Sequence, residues 1–171
     1  GFVLLPGGFG TLDEAFELLT LVQTGKAQIN PIVLLDVPGG TYWTRWLEFI
    51  TAELGARSYI SPGDTTLFCI TDDTSVALDE LTGFFTNYHS QRYVDGDLVL
   101  RLQHEPDAEL LARLNREFAD IVVRGTIERI DATKIEIADN DHPDLPRLRF
   151  RFDRHGYARL RAMINVINGR Q

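Results

Sequence analysis

A short apolar run that breaks on Pro6-Gly7-Gly8 and passes into a helix-periodic stretch constrains this chain more than any other feature. Phe2, Val3, Leu4 and Leu5 follow one another without a polar break, the pattern of a parallel strand buried on both faces. The proline and glycines after them set a tight turn. From Leu12 to about Thr24, Leu12, Ala15, Phe16, Leu19 and Val22 recur at helical spacing, and Gly25-Lys26 supplies a stop signal.

The same alternation repeats downstream. Pro31 to Asp36 reads as a second strand, Tyr42 to Leu54 as a helix with Trp43, Trp46, Leu47 and Ile50 on its apolar side. Thr65 to Thr71 reads as a third strand, and Asp72-Asp73 opens a helix from about Thr74 to Phe85. Strands and helices alternating with short connections predict an α/β fold, a parallel sheet with crossover helices. The character changes near His89. Tyr93 to Gln103 reads as one strand, Pro106 to Ile121 as an amphipathic helix, then Val122–Ile130, Lys134–Ala138 and Leu148–Phe152 as strand-like runs, and Gly156 to Asn168 as a last helix. The expected division is therefore a sheet domain over 1–104 and a small α+β extension over 105–171.

The turn has its own chemistry. The first backbone N–H groups of a helix lack internal partners, and the helix dipole adds partial positive charge there, so a strand–glycine–helix junction attracts anions. Gly7, Gly8 and Gly10 let a ligand approach the backbone, and the Thr11 hydroxyl can donate to a phosphate oxygen. Glu14 lies one helical turn beyond Thr11, at the sheet edge where open α/β sheets bind ligands. The residues also permit a purely structural reading, because Thr11-Leu12-Asp13-Glu14 has the form of a capping box. Spacing alone leaves both open.

Pro6-Gly7-Gly8-Phe9-Gly10-Thr11-Leu12-Asp13-Glu14 fits the signature PGGxGTxxE at every fixed position, and in this the chain resembles the Lonely Guy (LOG) family. Leu18 to Lys26, Pro31-Ile32-Val33-Leu34, Tyr42-Trp43 and Thr71-Asp72-Asp73 extend the resemblance over roughly residues 1 to 100. It implies a Rossmann-like fold, a homodimer with sites near the interface, and hydrolysis of a nucleoside 5′-monophosphate, AMP or a cytokinin riboside monophosphate, to free base and ribose 5-phosphate. It assigns Glu14 the catalytic role and Gly7, Gly8, Gly10 and Thr11 the phosphate, with no cofactor and no metal. A non-catalytic nucleotide- or molybdenum-cofactor-binding protein of the same superfamily is the competing reading. Sequences of this family have also been described as lysine decarboxylases, yet no pyridoxal-phosphate lysine context is visible here. The family's arginine-bearing motif, upstream of the turn, has no match in Arg45, Arg57 or Arg92. With no initiator Met and a strand at its first residues, the sequence reads as the C-terminal part of a longer protein.

Composition narrows the partners. A net charge of −8 argues against nucleic acid, which needs Lys and Arg to neutralise phosphates. Cys69 is the only cysteine, which excludes an internal disulfide and fits a reducing cytoplasm. No apolar run approaches the roughly 20 residues that cross a bilayer. His89 to Tyr93 is expected as a polar loop, and His104, His142 and His155 as solvated residues without metal-ligand spacing. Asp72 and Asp73 are expected to cap a helix, Trp43 and Trp46 to pack in the core or at a dimer interface, and the arginines from Arg147 to Arg161 to form a solvated basic face.

Overall fold

A computed structural model describes residues 1–170. It divides into two compact units, Gly1–Gly83 and Phe84–Gln171. The first unit is the expected α/β arrangement. Strand β1 (Phe2–Leu4) leads to helix α1 (Phe9–Gln23), β2 (Ile32–Leu35) to α2 (Tyr42–Phe49), and β3 (Cys69–Thr71) to α3 (Thr74–Gly83). The strands pair in parallel in the order β1-β2-β3, with Val3 opposite Val33 and Leu34 opposite Ile70. This is a Rossmann-like sheet with crossover helices.

The central strand shows why the order holds. Ile32, Val33 and Leu34 are all within 1% of complete burial, as a strand covered on both faces requires. α1 turns Ala15 and Val22, two helical turns apart, into the same core. α2 adds Trp43 and Trp46, and the Trp46 ring meets Phe16 at 5.7 Å and Phe68 at 5.6 Å. The tryptophans are therefore core packing. α2 continues as a π-helical turn over Ile50–Gly55. The third expected strand is shorter than its apolar pattern, because Pro62–Thr66 forms a 3-10 turn capped by Ser61 and Asp64. β1 differs from expectation in burial. Phe2, Val3 and Leu5 are 44%, 46% and 58% exposed, since β1 has a neighbour on one side alone.

The second unit is built on an antiparallel sheet of β4 (Tyr88–Val94), β5 (Asp97–Leu102), β7 (Arg147–Phe150) and β6 (Glu128–Ile130), in that spatial order. Helices α4 (Ala108–Glu117) and α6 (Tyr157–Ile167) bring Leu114, Leu160, Met163 and Ile164 to its core. Three expectations change here. His89 to Tyr93 is no loop but lies within β4, the first arm of a hairpin whose turn, Asp95-Gly96, has φ of 50° and 84° at its two residues. Aspartate-glycine is the pair that accepts such a turn. Because β4 and β5 pair with each other and β5 with β7, residues 84–104 group with the second compact unit, which begins at Phe84.

Lys134–Ala138 is not a strand but a short helix, α5. The alternation of Ile135, Glu136 and Ile137 suggests isoleucines turned inward. The reverse occurs, with Ile135 and Ile137 43% and 58% exposed and Glu136 fully buried. Thr133 and Glu136 close a reciprocal capping box at its start. The strand expected over Val122–Ile130 shrinks to β6 plus a single bridge between Val122 and Phe152. Among the described residues no helix is long and apolar enough to cross a membrane.

Candidate functional site

Three loops leave the carboxyl ends of β1, β2 and β3, and hydrogen bonds tie them together. In the first, α1 begins at Phe9 with Gly8 as its N-cap and no side chain capping it. Thr11 therefore lies inside the first helical turn, and the Thr11–Glu14 capping box that the sequence permits does not form. This leaves both side chains available. Among the described residues neither the Thr11 hydroxyl nor the Glu14 carboxylate has a hydrogen-bond partner, and Glu14 is exposed. Three residues apart on one helix, they share a face.

The glycines of the turn are not equivalent. A Cβ on Gly7 would stand 2.1 Å from Thr11 Oγ1, so the fold itself needs glycine there. A Cβ on Gly8 or Gly10 would meet nothing within 4 Å. The protein's own packing gives no reason for glycine at those two positions, and both border open space at the helix N-terminus.

The second loop, Asp36 to Thr41, is wound around one carboxylate. Asp36 is 8% exposed, and its Oδ1 accepts from Val37 N at 2.8 Å. Its Oδ2 accepts from Tyr42 N at 2.7 Å and Trp43 N at 3.3 Å, the first amides of α2. Asp36 thus caps α2 from a distance, where the neighbouring Thr41 makes no capping bond. Gly39, at φ 75°, donates its N–H to Asp72 Oδ2 at 2.8 Å, which joins the second loop to the third. Asp73 Oδ1 accepts from Ser75 N at 2.7 Å and caps α3, as expected of it. Tyr42 closes the set, its hydroxyl donating to Gly7 O at 2.7 Å.

The sequence reading placed Gly7, Gly8, Gly10, Thr11 and Glu14 at one end of the sheet, and the structure brings them together there. It missed Asp36 and Tyr42. The available signal was an aspartate at the end of a parallel strand, followed by glycines and a helix, the same layout as the first turn.

Positive charge near the site is sparse. Lys26, Arg45 and Arg57 are the only basic side chains of the first unit, and Arg57 is held by Glu53 at 2.5 Å. Arg92 belongs to the second unit and pairs with Asp139 and Asp141. At the turn itself, the groups of α1 that face an anion are its first backbone amides and its dipole. A separate apolar pocket of about 220 Å³ lies between α1 and the π-helical turn, lined by Phe16, Leu19, Trp46, Ile50, Leu54 and Phe68 among others, and includes none of the turn residues.

In the second unit, Arg101 and Arg147 stand directly opposite each other on β5 and β7, a destabilising juxtaposition of like charges. Glu136 resolves it. Its Oε1 accepts from Arg101 Nε and Nη2 at 3.0 and 2.9 Å and from Arg147 Nε at 3.1 Å. Burial alone would raise its pKa, but the Thr133 amide and hydroxyl and the two guanidinium groups outweigh this and hold it down at about 2. His142 packs edge-on against His89, with ring centroids 4.4 Å apart.

Residues 1–81 match a protein family described as "possible lysine decarboxylase". The chain is 32% identical over 90 residues to a "probable cytokinin riboside 5′-monophosphate phosphoribohydrolase" of Oryza sativa subsp. japonica, covering 53% of this chain and 40% of that protein. It is 41% identical over 61 residues to a cytokinin riboside 5′-monophosphate phosphoribohydrolase of Arabidopsis thaliana, covering 36% of this chain and 27% of that protein. A further rice enzyme of the same description is 43% identical over 49 residues, covering 29% of this chain and 19% of that protein. The chain thus spans well under half the length of each relative. The match ends two residues short of the division at Gly83, and over this first unit the chain is similar to the Lonely Guy phosphoribohydrolases.

Proposed function

We propose that the first unit supplies the phosphate turn and the catalytic carboxylate of a nucleoside 5′-monophosphate phosphoribohydrolase. The observation that carries this reading is the open turn: Gly8 and Gly10 border free space, Thr11 has an uncommitted hydroxyl, and Glu14 is an uncommitted carboxylate on the same helical face. The amides at the start of α1 and the Thr11 hydroxyl hold the 5′-phosphate, which fixes the ribose relative to Glu14.

Cleavage of the N-glycosidic bond builds positive charge on the sugar ring. Glu14 stabilises that oxocarbenium-like charge, holds the ribose hydroxyls or orients the attacking water. The base departs with the bonding electron pair, and water adds at the anomeric carbon to give ribose 5-phosphate. AMP and cytokinin riboside monophosphates are the proposed substrates, a cytosolic homodimer the proposed working form.

The test is release of free base from AMP and from a cytokinin riboside monophosphate by the full-length protein, followed by chromatography. Wild-type release, reduced at least about 100-fold in Glu14→Gln with nucleotide binding retained, is the expected result. Binding of AMP without release by the wild-type protein would replace the enzyme with the non-catalytic binding reading.

A further inference from the structure

Resting on the phosphate-turn reading, the structure assigns a specific task to Tyr42. The carbonyl of Gly7 and the N–H of Gly8 belong to one planar peptide unit and point in opposite directions across it. Whatever fixes the carbonyl also aims the amide. The Gly7 carbonyl accepts from the Tyr42 hydroxyl at 2.7 Å. Glycine stands on both sides of this peptide, so backbone sterics oppose its rotation less than at any other residue pair. The tether is what holds one orientation.

Tyr42 is itself firmly placed. Its backbone N–H is bound by the nearly buried Asp36 at 2.7 Å, and its ring packs edge-on against the fully buried Trp43 at 4.8 Å. The loop before it is locked by Asp36 and, through Gly39, by Asp72. Tyr42 therefore transmits the rigidity of the second loop to the Gly8 N–H, which has no backbone acceptor among the described residues. We propose that Tyr42 is a positioning residue for the substrate phosphate: it contributes no group to the reacting atoms but holds the Gly8 amide toward the mouth of α1.

The experiment is Tyr42→Phe in the full-length protein, a change that removes one oxygen and keeps the ring. Binding of inorganic phosphate and of AMP should weaken roughly tenfold, the order of one lost hydrogen bond, while binding of adenosine is unchanged. KM for AMP should rise with kcat nearly constant, the reverse of Glu14→Gln. In the ligand-free protein the Gly8 amide resonance should shift and broaden as the peptide samples a second orientation. An unmoved Gly8 resonance overturns the tether whatever the protein's substrate proves to be. An equal loss for AMP and adenosine, or a fall in kcat alone, overturns the phosphate-positioning role. Failure of the wild-type protein to bind AMP or phosphate overturns the functional reading on which the proposal stands, and the Gly8 resonance separates the two failures.

Discussion

Gly8 and Gly10 are glycines that the fold does not need, and Gly7 is one that it does. The difference gives a test of function that runs against stability. Gly10 lies in the first turn of α1, where alanine is the better helix former by up to about 1 kcal/mol, and its Cβ would meet nothing. Gly10→Ala should therefore leave the melting temperature unchanged or raise it, while nucleotide affinity falls because a methyl group now stands where a phosphate approaches. Gly7→Ala drives its Cβ into Thr11 and should lower stability by about 1–3 kcal/mol. Thermal denaturation and calorimetric titration with AMP on the two variants would check both. A Gly10→Ala protein that binds AMP as tightly as wild type would show that the turn is open for some other reason.

At the scale of elements, the first unit was legible and the second only partly so. Parallel strands such as β2 are apolar throughout and are bounded by turn residues, so period and punctuation agree. The Gly-rich turn announced its helix but not its start: Gly8 took the N-cap that Thr11 could have filled. The hairpin of β4 and β5 was hidden because Tyr88, His89, Ser90, Gln91 and Arg92 look polar, whereas the sheet buries Tyr88 and Gln91. α5 carries the alternation of a strand in its isoleucines, yet the residue it buries is a glutamate recruited by two arginines that come together only in the folded sheet. That charge carries a prediction. The Glu136 pKa is depressed from 4.5 to about 2, so its contribution to stability is present in full above the ordinary carboxylate range. It is lost as pH falls from about 4.5 toward 2. Glu136→Ala leaves Arg147 buried without a counter-charge and Arg101 with Asp141 alone, and should cost about 3–5 kcal/mol at neutral pH. Urea denaturation at pH 7 and pH 3 should show a smaller difference between variant and wild type at the lower pH.

The whole molecule joins two units of different chemical character. All basic side chains apart from Lys26, Arg45 and Arg57 lie after Gly83, so the surplus acid that sets the net charge of −8 belongs to the first unit. The second unit has its own core and closes on itself. Asn168, at the end of α6 and 9% exposed, accepts from Asn87 N and Tyr88 N at 2.8 Å each and donates to Phe84 O at 2.6 Å. One side chain thus joins the first residues of the unit to its last helix, across more than 80 positions of sequence. A unit clasped in this way should fold without the residues before it. Residues 84–171 produced alone should give a single cooperative thermal transition with a well-dispersed amide spectrum. Asn168→Ala, which strands the buried Tyr88 N and Phe84 O and the part-buried Asn87 N, should destabilise that fragment by about 2–3 kcal/mol. It should also produce the same loss in the corresponding transition of the entire chain, since contributions internal to one unit add independently of the other. A fragment that stays unfolded, or an Asn168→Ala effect that appears in the entire chain and vanishes in the fragment, would show that the second unit draws its stability from the first.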